Sequence, residues 1–135
     1  MNEKSTGRPL AELIAEACSG LTYMSETDAA VEPFFGGPCG EVTAEAIARA
    51  AGEQGEKFEA GSAKEFFAKA GAERPWFTDA QIKNARGFAR LGKLLSRNTE
   101  QIGLFRFGRI RIRIYVAGVD DTGELVGIRT EAVET

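Results

Sequence analysis

Histidine is absent from this 135-residue chain, and its absence excludes several kinds of enzyme. Imidazole is the common general base near neutral pH and the usual nitrogen ligand of metal ions. It is also the group that most often activates a serine or cysteine nucleophile. Most hydrolase mechanisms are therefore excluded.

Cysteines and long apolar runs are scarce as well. Cys18 and Cys39 are the only thiols, and they form neither a CxxC pair nor a disulfide-dense framework. The first ten residues lack the apolar stretch of a signal peptide, and no window approaches the roughly 18 apolar residues that span a bilayer. We therefore expect a cytoplasmic protein with two free, buried thiols and no membrane partner.

The chain has the size of one domain. Its 135 residues, 43% apolar and 27% charged, fit a single globular domain over residues 1–135. The net charge of -3 hides an uneven distribution, because residues 1–60 carry -7, residues 61–115 carry +8 and residues 116–135 carry -4. Such asymmetry is typical either of surfaces that meet charged partners or of ordinary solvated faces.

Helical patterns occupy most of the first hundred residues. Apolar residues recur at helical spacing after Pro9, and Thr43, Ser62 and Thr78 are each placed to cap a helix. The predicted helices cover about residues 8–18, residues 43–51, a short segment after Ser62, and residues 78–98. Residues 21–28 show neither helical nor alternating periodicity, so they predict an ordered loop.

Strand patterns dominate the end of the chain. Residues 109–114 alternate arginine and isoleucine, and a turn at residues 120–123 leads to a final strand from Leu125 to Val133. Weaker strands are predicted over Glu56 to Ala60 and over Val31 to Phe35, the latter ended by the turn signal Gly36-Gly37-Pro38. Helices first and strands last predict an α+β fold, with an antiparallel sheet against one or two helical layers.

Arginines form a possible nucleic-acid surface. In a strand with alternating faces, Arg109, Arg111 and Arg113 share one face, as in sheets that read single-stranded nucleic acid between aromatic side chains. In the other interpretation these guanidinium groups pair with the acidic helices. A nucleic-acid-binding module is therefore the alternative function.

Motifs at both ends of the chain resemble the nuclease A inhibitor family. The first is Gly20-Leu21-Thr22-Tyr23-Met24-Ser25-Glu26-Thr27-Asp28, and the second runs from Ile114 to Gly118 and from Gly127 to Thr135. Phe66-Phe67, Pro75-Trp76-Phe77 and the long helix follow in a similar order. The resemblance thus covers nearly the whole length and is most specific at the two ends.

This resemblance implies a three-layer αβα sandwich that inhibits a sugar-nonspecific, magnesium-dependent DNA and RNA endonuclease. Such a protein is not an enzyme and needs no cofactor of its own, and its partner is the nuclease in a one-to-one complex. Glu26 is expected to approach the magnesium ion of the nuclease, and Thr135 to contact its catalytic groups. Trp76 matches an interface tryptophan, whereas Pro75 stands where the family has an acidic residue.

Each implied site residue also has an ordinary structural interpretation. In that interpretation Glu26 caps a neighbouring helix or lies in solvent, and Thr135 is at a position where chains commonly fray. Trp76 is explained in the same way by packing in the apolar core, where a large aromatic side chain is commonly found. A third functional alternative is an interaction domain that kept the fold after losing its nuclease target.

Overall fold

The structure is a computed structural model that describes residues 9–54 and 57–135. Four helices and seven strands lie within these residues. In chain order they are α1 (Leu10–Cys18), β1 (Thr22–Met24), β2 (Asp28–Ala30), β3 (Glu32–Pro38), α2 (Ala44–Ala51), β4 (Phe58–Gly61), α3 (Ala63–Ala70), α4 (Asp79–Asn98), β5 (Glu100–Phe107), β6 (Arg111–Val119) and β7 (Glu124–Val133). The predicted α+β class is confirmed.

The predicted helix starts are confirmed where the structure describes them. The hydroxyl oxygen of Thr43 accepts a hydrogen bond from the Ala46 amide at 3.0 Å, and that of Ser62 accepts one from the Glu65 amide at 3.1 Å. At α4, Thr78 and Gln81 bond reciprocally, which forms a complete capping box. The start predicted for α1 at Arg8, like Glu56 in the prediction for β4, lies outside the described residues.

Among the described residues, five strands form one antiparallel sheet in the order β3-β7-β6-β5-β4, and β1 and β2 form a separate hairpin. The meander β5-β6-β7 supplies three of the five strands, as the sequence predicts. Register brings the start of β6 beside the end of β7, where Arg111 pairs with Val133, and the end of β5 beside the start of β4, where Phe107 pairs with Phe58. These four strand ends therefore lie at one end of the sheet.

The two faces of the sheet pack into two separate apolar clusters. Ile112, Ile114 and Val116 point into a cluster that contains residues of α1 and α4, with α3 against it. Tyr115 and Ala117, on the opposite face, join a cluster that contains Ile47 of α2. Helices on both faces are what a three-layer arrangement requires, and that arrangement stays a prediction.

Two local predictions before residue 40 are wrong. Residues 21–28 are not a loop throughout, because Thr22–Met24 pairs with Asp28–Ala30 as a hairpin. Nor does a turn end the strand at Phe35. Strand β3 continues to Pro38, and a register shift between Phe35 and Gly37 marks a bulge. Because β3 is an edge strand, Pro38 does not need to donate to a second neighbour.

Three further predictions need correction. Cys18 is buried, but Cys39 is only partly so. Strand β6 begins at Arg111, so Arg109 lies in the preceding bend and the alternation does not start there. Ile110 is therefore exposed and not part of the apolar sheet face.

In the described part of the chain, no helix is long and apolar enough to cross a membrane.

Candidate functional site

The loop that carries Glu26 is the tight turn of the β1-β2 hairpin. Met24 and Asp28 are the last paired residues on either side of it. Within the turn, the Ser25 amide and the Ser25 hydroxyl both donate to the carbonyl oxygen of Thr27, each at 3.0 Å. These two bonds hold the three-residue loop in one conformation and leave the Glu26 side chain exposed.

The end of β7 holds this loop from the other side. The Val133 amide donates to the Ser25 hydroxyl oxygen at 3.0 Å, and the Glu26 amide donates to the Val133 carbonyl oxygen at 3.4 Å. Ser25 thus both donates and accepts, as a hydroxyl can. The hairpin turn is thereby fixed to the sheet at the strand ends described above.

Glu26 and Thr135, the two residues taken from the end motifs, are in direct contact. The Thr135 amide donates to Glu26 Oε2 at 3.0 Å, and the Thr135 hydroxyl lies 3.0 and 3.1 Å from the two carboxylate oxygens. The residues are 109 positions apart in the chain. We call this pair, with the hairpin turn and the end of β7, the Glu26–Thr135 site.

Residue Glu134 anchors the segment that leads to Thr135. Its amide donates to the carbonyl oxygen of Ile110 at 2.9 Å, which extends the pairing between β6 and β7 by one bond. Its carboxylate lies 2.6 Å from an Arg106 guanidinium nitrogen. Thr135 is therefore held in place and not frayed. Glu26 caps no helix in the described residues, but its side chain is exposed to solvent, as its ordinary interpretation also allows.

The chemistry of this site is that of exposed, oriented oxygen acceptors. A carboxylate has about four lone-pair positions. Thr135 approaches Glu26 with two donor groups, so acceptor capacity is left for a cation or a further donor. Such a site can ligate a hard cation presented by a partner or pair with a partner's guanidinium or ammonium group.

Apolar side chains border the same end of the sheet. Met24 immediately precedes the hairpin turn, Ile110 accepts the bond from Glu134, and Phe58 lines one cleft with Glu134 and Arg106. All three are exposed by about half or more of their surface. A polar centre with apolar neighbours on its border is an arrangement suited to a protein interface.

Trp76 is not one of the residues of the Glu26–Thr135 site. It is 74% exposed in the segment between α3 and α4, and its ring packs edge-on against Phe77 with centroids 6.4 Å apart. The interpretation of Trp76 as a core residue is therefore wrong. In the part of the chain that the structure describes, no hydrogen bond, ion pair or ring contact joins it to Glu26 or Thr135.

The proposed arginine surface does not form as the sequence predicts. Arg109 is outside the strand, and Arg111 lies 3.7 Å from Glu131. Arg113 binds Glu53, just beyond α2, through two nitrogens at 2.7 and 3.1 Å. This is the pairing with an acidic partner that the second interpretation of the arginines predicts.

Three aromatic rings on that face are buried under α2 and cannot stack on bases, whereas Phe58 of β4 is about half exposed. Tyr115, Phe105 and Phe107 belong to the cluster around Ile47. The Tyr115 hydroxyl donates to Glu53 at 2.8 Å. Burial, together with this bond, raises the pKa of Tyr115 to about 12. The Arg113 guanidinium, helped by the Tyr115 hydroxyl, holds the pKa of Glu53 below its ordinary value.

Sequence reasoning missed the residues that assemble the site. Ser25 was part of a motif without a role, and neither Arg106 nor Glu134 was singled out. The partner of Ser25 is Val133, 108 positions away in the chain. The partner of Arg106 is Glu134, 28 positions away. A single sequence carries no signal of such distant contacts.

In the described residues no group of three or more cysteine, aspartate or glutamate side chains is placed to hold a metal ion.

Comparisons with known proteins bear on the chain as a whole. No curated protein matches it. The family model described as nuclease A inhibitor-like protein matches residues 8–135, which includes both motifs of the Glu26–Thr135 site and the segment around Trp76. A match of this extent shows the family. The chain belongs to the nuclease A inhibitor-like protein family.

Proposed function

We propose that this protein inhibits a sugar-nonspecific, magnesium-dependent DNA and RNA endonuclease by blocking its active site in a one-to-one complex. The Glu26–Thr135 site is the part that enters the nuclease. In this proposal the chain performs no catalysis and holds no cofactor, and the magnesium ion belongs to the nuclease. We also propose a cytoplasmic location, where the free thiols of Cys18 and Cys39 stay reduced.

One observation carries this proposal: the two family motifs, 109 residues apart, meet in a single exposed site. Neither residue has an evident structural task there. An exposed carboxylate that accepts three close contacts from one residue adds little to the stability of a fold. Such a site is better explained by binding to a partner.

The chemistry of the site fits the active site of a nuclease. An enzyme that cuts both DNA and RNA must present cations to phosphate groups. An inhibitor that offers anions at the same positions is electrostatically complementary to that cleft. Magnesium prefers oxygen ligands and accepts a carboxylate oxygen in place of water, so Glu26 is suited to supply one ligand to the partner's ion.

The site is also ordered before binding. Ser25 holds the turn, Val133 holds the loop to the sheet, and Thr135 orients the carboxylate of Glu26. Binding by a preformed group loses less conformational entropy than binding by a flexible one. The net charges of -7 over residues 1–60 and -4 over residues 116–135 would further speed association with a basic cleft.

Trp76 is proposed as a second contact with the nuclease. Large aromatic side chains are frequent anchors in protein interfaces, and this one is exposed in the free protein. We expect Trp76→Ala to raise the dissociation constant about tenfold. Phe35→Ala, which removes a different exposed aromatic ring on the β3 edge, should leave the dissociation constant unchanged.

A titration of a magnesium-dependent, sugar-nonspecific nuclease with the purified protein tests the function. Residual activity on both DNA and RNA should fall linearly and reach zero at one molar equivalent. A labelled single-stranded oligonucleotide should show no binding in an anisotropy assay. Binding to the oligonucleotide that weakens steeply with salt, without inhibition of the nuclease, would instead support the nucleic-acid-binding alternative.

A further inference from the structure

The segment after β7 depends on contacts outside the hairpin turn. Residues 134–135 extend beyond the last strand residue, Val133. Strand ends of this kind normally fray unless something holds them. Here one backbone bond, from Glu134 to Ile110, continues the sheet, and one side-chain contact, from Arg106 to Glu134, lies beside it.

We propose that Arg106 is a positioning residue of the inhibitory site, because its ion pair with Glu134 holds Thr135 where it orients the carboxylate of Glu26. Arg106 acts through the segment and does not itself contact the nuclease. This inference rests on the proposed function for its effect on inhibition, whereas its effect on the order of residues 134–135 is independent of any partner.

The location of Arg106 suits this role. It is the last residue but one of β5, and its side chain is only 24% exposed, so the sheet restricts its motion. Its cross-strand neighbour Glu59 lies 3.7 Å from the guanidinium, against 2.6 Å for Glu134. The shorter contact has the length of a charge-assisted hydrogen bond, and that to Glu59 is longer.

Electrostatics gives a second reason for a cation at this point. The carboxylates of Glu26 and Glu134 are both joined to the same two-residue segment, one by contact with Thr135 and one as part of it. Two like charges attached to so short a segment repel each other, which favours movement of the segment away from the hairpin turn. A guanidinium bound to Glu134 offsets this repulsion and lets Thr135 remain against Glu26.

The alternative is that Arg106 forms an ordinary surface ion pair, which contributes little to stability or to the order of residues 134–135. The two interpretations differ in a measurable way. Replacing Arg106 by glutamine makes the protein more acidic, which by itself should speed association with a basic cleft. A positioning role instead predicts faster dissociation of the complex. In the variant, residues 134–135 are no longer ordered in the free protein, so binding must order them and the complex is weaker.

The experiment compares Arg106→Gln with the wild type in two measurements. In the free protein, the heteronuclear 15N NOE of the Thr135 amide reports the order of the segment on the picosecond to nanosecond scale. In the complex, surface plasmon resonance with an immobilised magnesium-dependent nuclease gives the rate constants. We expect the NOE to fall to the values of a mobile terminus and the dissociation rate to rise about tenfold.

Three further variants make the test specific. Arg106→Lys keeps the charge and should retain part of the wild-type order. If Arg106 acts through Glu134, the double variant with Glu134→Gln should be no worse than the stronger single variant. Arg97→Gln removes the same charge from an exposed residue three positions before β5 begins, at the far end of that strand, and should change neither measurement.

The outcomes separate this inference from the proposed function. An unchanged NOE and dissociation rate in Arg106→Gln would overturn the positioning role while leaving the inhibitor intact. Additive effects in the double variant would also overturn it. A wild-type protein that binds no nuclease would overturn the proposed function, and the NOE would still decide the role of Arg106. Should Arg106→Gln fail to fold, Glu134→Gln tests the same contact.

Discussion

Glu26 and Glu53 are two carboxylates that each bind a distant part of the chain, in contrasting surroundings. Each accepts hydrogen bonds from residues more than 50 positions away in the chain: Thr135 for Glu26, and Arg113 with Tyr115 for Glu53. Glu26 lies exposed at the end of the sheet. The Glu53 side chain is 9% exposed and lies against the face that α2 covers.

The contrast shows what each group can contribute. The Glu53 carboxylate is largely shielded from water and accepts hydrogen bonds from both Arg113 and Tyr115, so the Glu53 cluster contributes to the stability of the fold. An exposed carboxylate is solvated in the free protein, and its loss costs the fold little. The Glu26 carboxylate contributes to the binding free energy only when a partner displaces the water around it. We therefore assign Glu53 to folding and Glu26 to binding.

The largest effect should come from Glu53→Ala. It leaves the guanidinium of Arg113 and the hydroxyl of Tyr115 without their shared acceptor, and we expect the free energy of unfolding to fall by about 3 kcal/mol in urea titrations. Glu45→Ala, the control, removes an exposed glutamate from the first turn of α2. It should change the free energy of unfolding by less than about 0.5 kcal/mol. Equal stability of the two variants would contradict the assignment of Glu53 to folding.

Glu26→Ala should show the opposite pattern. If its carboxylate is desolvated beside the nuclease's metal ion, inhibition should weaken by more than about 2 kcal/mol, while urea unfolding hardly changes. Glu124→Ala is the matched control. It removes the same charge from the start of β7, about 30 Å of strand away from Val133. Full inhibition by folded Glu26→Ala would remove this residue from the site.

Adding residues after Thr135 tests the same site by steric means. A short Gly-Ser extension should obstruct the nuclease cleft and, in a chain that otherwise ends at Thr135, move the terminal carboxylate away. We expect inhibition constants at least tenfold higher and no change in melting temperature. The same extension before Met1 should be harmless. Equal potency of the two extended proteins would show that Thr135 does not enter the cleft.

The smallest effect is a difference in acid sensitivity. The pKa of Glu53 is lowered in the folded protein, chiefly by the Arg113 hydrogen bond, so its contribution is present above the ordinary pKa of 4.5 and is lost as the pH falls through the folded value. The stability difference between wild type and Glu53→Gln should therefore stay constant above about pH 5 and shrink in more acidic urea titrations. A constant difference down to acid unfolding would show that Glu53 is not ionised in the cluster.

Local signals in the sequence predicted most of the fold. A capping residue such as Thr43 or Thr78 acts on amides three residues away, so its effect is visible in the sequence itself. Alternation likewise identified the first part of β6, and the turn signal at residues 120–123 located the start of β7. The hairpin β1-β2 was missed because three-residue strands are too short to show a period of two.

Contacts between distant segments were not predictable in the same way. Strand β3 passes close to Leu125 at Gly36, where an ideal Cβ would lie only 2.6 Å from the Leu125 side chain, and the sequence does not reveal this neighbour. Glu26 and Thr135 were each identified by resemblance to family motifs, but their mutual contact was not. The pairing of Arg113 was expected in kind, whereas its partner Glu53 became known only from the structure.

The position of β7 in the sheet has a consequence for how the protein becomes active. This strand is synthesised last of the five, yet it lies between β3 and β6, and β3 pairs with no other strand of that sheet in the described residues. Contacts between segments so far apart in the chain form slowly during folding. A nascent chain therefore has neither a complete sheet nor a support for the Glu26 loop, and inhibitory activity should appear only after synthesis has passed β7.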